Sequence, residues 1–78
     1  MNVTVLWDPA ALFVFYCLPP LVSARIDRSV IAFAERGEGH VEWAAPYYRL
    51  KAGKHDVVFT VDEPTLTMTV LQILRMRP

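Results

Sequence analysis

Tyr47-Tyr48-Arg49-Leu50-Lys51-Ala52-Gly53-Lys54-His55-Asp56-Val57-Val58-Phe59-Thr60-Val61 is the stretch in which this 78-residue chain changes its hydrophobic period to two. Tyr47, Arg49 and Lys51 alternate with Tyr48, Leu50 and Ala52, as in a strand with one wet and one dry face. Gly53-Lys54 turns the chain into His55–Val61, whose β-branched and aromatic residues make a second strand. Arg49 and Lys51, two residues apart, therefore emerge on one face together with Tyr47, while Tyr48 points the other way into a core. A two-residue turn sets Asp56 opposite Lys51 and Val58 opposite Arg49, so the acid joins the cationic face.

Outward from this hairpin, Asp62-Glu63-Pro64 reverses the chain into a last strand from Leu66 to about Arg75, rich in Thr, Val, Leu and Ile. On the N-terminal side, Val3–Trp7 is a short buried strand, and Asp8-Pro9 supplies an N-cap carboxylate and a proline at the first helical position. The helix that follows runs through Ala10 to Cys17 or Leu18 and stops at Pro19-Pro20. A second helix, Leu21–Arg36, places Val22, Ile26, Val30 and Phe33 at helical spacing and ends at Gly37. Residues 37–40 make a turn, and Val41–Pro46 reads as an irregular connection whose Trp43 packs back on the domain. The order is βααβββ. It predicts a single α+β domain over residues 1–78, with two N-terminal helices packed on one face of a small, mainly antiparallel sheet.

Composition narrows the classes. The chain is 54% hydrophobic, and eight acids balance eight bases. Residues 1–46 carry five acids and three bases and residues 47–78 the reverse, so a nucleic-acid partner has to be held by local placement of a few cations rather than by total charge. Cys17 is the only cysteine, which excludes an internal disulfide and fits a reducing interior. It has no neighbouring ligand in sequence, so it reads as a buried thiol and the chain as needing no metal or other cofactor. The longest apolar run, Ala10–Leu21, is broken by two prolines and is shorter than the roughly 20 residues that span a bilayer; no basic segment precedes it as in a secretory signal. A cytoplasmic protein without a membrane role is expected.

At several points in order, the chain resembles the RelE/ParE superfamily of bacterial toxin-antitoxin modules, to which plasmid-stabilization systems belong. Trp7-Asp8-Pro9-Ala10-Ala11-Leu12 is like the family's strand end and capped helix, and Leu18-Pro19 like the dipeptide that closes that helix. Tyr48-Arg49-Leu50-Lys51-Ala52-Gly53 is similar to its Tyr-Arg-Leu-x-x-Gly strand, and Val57-Val58-Phe59 with Thr69-Val70-Leu71 to its last two strands. The likeness implies a bacterial or archaeal toxin neutralised by a cognate antitoxin. RelE-like relatives cut messenger RNA on the ribosome without a metal, as mRNA interferases; ParE-like relatives act on DNA gyrase and are not nucleases.

An endoribonuclease that uses the RNA's own 2′-hydroxyl needs a proton acceptor, a proton donor for the leaving 5′-oxygen and positive charge at the phosphorane. The resemblance implies Arg49 and Lys51 as the catalytic cations, with Arg75 or Arg77 as the family's late arginine. Tyr47 is placed to stack on a base, and Lys54 and His55 to touch substrate. Glu42 beside His40 is a minor acid/base candidate. Two departures stand out. Asp56 occupies a strand position where RelE-like nucleases carry an arginine, and would cancel charge by pairing with Lys51. Arg75-Met76-Arg77-Pro78 stands where relatives continue to a catalytic aromatic or histidine. The alternative is a non-catalytic relative that binds protein, whether gyrase, antitoxin or a second copy. The first helix supports such a contact, because consecutive Phe13, Val14, Phe15 and Tyr16 cover more than one side, and Phe13, Phe15 and Tyr16 are candidate interface residues for an antitoxin or a homodimer.

Overall fold

A computed structural model describes residues 2–76, and Arg77 therefore lies outside the described residues. The elements are β1 (Thr4–Trp7), α1 (Pro9–Cys17), α2 (Pro20–Arg36), β2 (Val41–Ala44), β3 (Tyr47–Ala52), β4 (His55–Asp62) and β5 (Thr67–Arg75). The Asp8 carboxylate accepts a hydrogen bond from the Ala10 amide at 3.0 Å, so α1 starts where the cap and the proline set it. Pro19 and Pro20 divide the two helices, and α2 ends at Gly37, which adopts φ 69° and donates its N–H to the Phe33 carbonyl at 2.8 Å.

The strand order is β1-β5-β4-β3-β2, with β1 parallel to β5 and every other pairing antiparallel. The sequence missed β2. Val41–Ala44 is no irregular connection but an edge strand paired with β3, from Val41↔Leu50 to Ala44↔Tyr47. Four residues without clean alternation, followed by an Ala45–Pro46 reversal with a cis peptide bond, lack the Gly- or Asn-containing turn that announces a hairpin. The order is thus βααββββ, while the α+β class and the two helices on a mainly antiparallel sheet are as expected.

The hairpin register is the expected one, with Lys51↔Asp56 and Arg49↔Val58. It sends Leu50, Val57 and Phe59 to the helix side, where they join Met68, Val70, Ile26, Val30 and Ala11 in one buried core. Tyr48 stacks on Phe59 at 5.4 Å between ring centroids and carries Trp43 at 4.8 Å, so Trp43 does pack back while most of its indole stays exposed. A bulge between Val58 and Phe59 shifts their partners in β5 from Gln72 to Val70.

Two expectations for α1 change. Phe15 turns inward against Trp7, with centroids 5.0 Å apart, while Phe13 and Tyr16 remain 71% and 75% exposed; the free thiol of Cys17 is exposed rather than buried. A helix that is apolar on every side gives no period from which to choose the inward stripe, and the sheet selects Ala11 and Phe15, one turn apart. Among the described residues, no helix is long and apolar enough to cross a membrane.

Candidate functional site

The face of the sheet away from the helices carries Arg49 and Lys51 of β3, Asp56 of β4 and Glu42 of β2. Strand alternation puts the two cations on one side, and register does the rest: Glu42 lies opposite Arg49 on one flank and Asp56 opposite Lys51 on the other. Lys51 Nζ stands 3.2 Å from Glu42 Oε1 and 3.3 Å from each carboxylate oxygen of Asp56. Arg49 Nη1 reaches Asp56 Oδ2 at 3.6 Å.

Asp56 has 0% of its side chain exposed, so it organises the cluster from beneath and cannot touch a substrate. Its Oδ2 accepts a hydrogen bond from Lys51; its Oδ1, although in ion-pair range of the same ammonium, receives none of sound geometry. The hydrogen bond to Glu42, followed by that to Asp56, holds the Lys51 pKa above its usual 10.5, against a smaller opposing effect of burial. Lys51 is therefore a fixed positive charge near neutral pH. Glu42 is the accessible carboxylate of the group and Arg49 the cation with donors to spare. Two acids balance two bases, so the expected cationic face is locally neutral.

The remaining site residues scatter. Tyr47 is exposed on the Arg49 face, opposite Ala44. Arg75 pairs with His55, and His55 with Ala52, which puts both on the helix side, away from Arg49 and Lys51. There they line a cavity of about 120 Å³ with Val22, Arg25, Ala52 and Lys54. Of the expected catalytic set, the structure brings together Arg49 and Lys51 and separates Arg75. Reading Val41–Pro46 as a connection leaves Glu42 beside His40 and not opposite Arg49; the Val41-Glu42-Trp43 alternation is the available signal. Arg25 carries no signal in the sequence, being one of several polar residues on a helix. Among the described residues no group of three or more His, Cys, Asp or Glu could hold a metal ion.

No family model matches the sequence, and no curated protein matches it. Solved structures do. The chain superposes on the archaeal RelE-RelB complex of Pyrococcus horikoshii OT3 with a TM-score of 0.77 at 13% identity, covering 96% of each chain. It matches the isolated E. coli RelE toxin with a TM-score of 0.77 at 15% identity, over 99% of this chain and 87% of that one. The fold is that of RelE. The toxin-antitoxin complex RelBE2 of Mycobacterium tuberculosis gives 0.70 at 18% identity over 96% of this chain and 99% of that one. In this chain one sheet face is left bare of helices, and it is the face bearing Glu42, Arg49, Lys51 and Asp56.

Proposed function

We propose that this chain is the toxin of a toxin-antitoxin pair, neutralised by a cognate antitoxin, and that its helix-free sheet face acts on messenger RNA at the ribosome. The observation that carries this reading is the convergence of Arg49, Lys51 and Glu42 on the helix-free face of a sheet that has the RelE fold. Arg49 offers a guanidinium fork to the scissile phosphate, and Lys51 adds a fixed positive charge for the phosphorane. Glu42, held 3.2 Å from Lys51, is the group able to accept the 2′-hydroxyl proton and pass it on. Tyr47 flanks them as a stacking surface for a base. The solved RelE–RelB complexes support an antitoxin partner.

Asp56 favours a second reading. A buried acid that engages both cations lowers the charge left for phosphate, and Arg75 is on the other side; this suits a relative that acts by binding protein, gyrase or a second copy among them. Induced expression separates the two. Growth arrest relieved by co-expression of the adjacent small gene is expected for either. Mapped transcript ends should show new cuts that vanish with Arg49→Ala and Glu42→Gln; variants that stay fully toxic with unchanged transcripts leave the binding reading. RNA affinity should also fall with salt, with a log–log slope of about −0.7 per phosphate contact.

A further inference from the structure

A second cationic group lies on the helix side of the sheet. Arg25 of α2, Lys54 of the β3–β4 turn, His55 at the start of β4 and Arg75 at the end of β5 surround the cavity of about 120 Å³, with Val22 and Ala52 as apolar walls. The His55↔Arg75 register sets those two side by side. The Met76 amide donates to the Lys54 carbonyl at 2.7 Å and ties the turn to the end of β5. Gly53, at φ +66°, presents bare backbone to Arg25: a Cβ there would stand 2.8 Å from Arg25 Cδ and 2.9 Å from Nη1. Glycine is what lets the guanidinium come this close.

Among the described residues no acid lies within ion-pair range of these charges. Among the described residues, Arg25, Lys54 and Arg75 form no ion pair, whereas both cations of the open face are paired. Three positive charges around one small opening repel one another, and an anion between them removes that repulsion. We propose that this cavity binds a phosphate group, free or in a nucleic-acid backbone. Two guanidinium forks and an ammonium supply the charge-assisted donors that phosphate oxygens accept. An adjoining cavity of about 220 Å³ shares Val22, His55 and Arg75 and is otherwise lined by Val14, Leu18, Pro19 and Ile73, which leaves an apolar shelf for whatever the phosphate esterifies. The inference goes beyond the action assigned to the open face and uses none of Glu42, Arg49 or Lys51.

The test is a titration of the isotope-labelled chain with inorganic phosphate and, separately, with a uridine dinucleotide phosphodiester, following backbone amides. Saturable shifts of Arg25, Gly53, Lys54, His55 and Arg75 are expected with both ligands, separate from any shifts that the dinucleotide causes on the open face. Arg25→Gln and Arg75→Gln should each weaken binding about tenfold, as does loss of one charge-assisted hydrogen bond. Lys54→Gln, in an exposed turn where folding is least at risk, should weaken it in the same sense, and Arg49→Gln should not. Tighter binding of inorganic phosphate marks a free or terminal phosphate as the source, and tighter binding of the dinucleotide marks an RNA backbone. Absence of binding, shifts at Arg49 and Lys51 with none at the cavity, or cavity affinity undiminished in all three variants overturns the assignment.

Discussion

Asp56 illustrates how a single buried side chain sets the character of a surface it never reaches. Replacing Lys51 by Met leaves the carboxylate buried with only Arg49, 3.6 Å away, whereas Asp56→Asn leaves two cations that are each more than a third exposed and free to turn to water. Lys51→Met should therefore lower the urea midpoint more than Asp56→Asn, and the double variant should recover part of the loss; additive midpoints would mean the pair is not coupled. Asp56→Asn should also strengthen RNA binding by the open face, since it frees Arg49 and leaves Lys51 paired with Glu42 alone. The raised Lys51 pKa fixes the sign of a pH effect. Its contribution to stability is fully present below pH 10.5 and is lost as pH climbs through the higher value of the folded state, so stability should fall in the alkaline range above pH 10.5, and Glu42→Gln should diminish that fall.

At the scale of elements, capping and packing make separate predictions. Gly37→Ala places a Cβ at φ 69° and should cost about 1 kcal/mol in thermal unfolding. Phe15→Ala should cost about 2 kcal/mol, less than a fully buried phenylalanine, while Phe13→Ser and Tyr16→Ser should stay within about 0.5 kcal/mol of the parent and reduce capture of an antitoxin or self-association. The β3–β4 hairpin was legible because alternation and a glycine turn act within a few residues, and the Lys51–Asp56 pairing followed from them. Both helices were legible through Asp8, Pro20 and Gly37. What was hidden depends on distant neighbours: β2 exists because β3 offers it an edge, Phe15 points inward because Trp7 awaits it, and Arg75 faces the helices because the register carries it there with His55. Asp56 could be placed opposite Lys51 from sequence, but its complete burial could not.

The molecule as a whole is a sheet whose middle is formed by its last two strands and whose outer parallel strand is its first. Phe59 and Met68 at that centre are fully buried, and Thr4↔Thr67 opens the β1–β5 pairing. Removing β5 takes away the partner of both β1 and β4 at once, so a chain ending at Leu66 should show no cooperative melt by circular dichroism; a sharp transition would contradict a core centred on β5. Non-local closure of this kind comes late in folding. While Thr67–Arg75 is still within the exit tunnel, β1 and both helices have emerged without the strand that orders them, and Arg49 and Lys51 have no completed sheet to be displayed on. Under the proposed function, the open face is therefore completed only once β5 has joined β1 and β4.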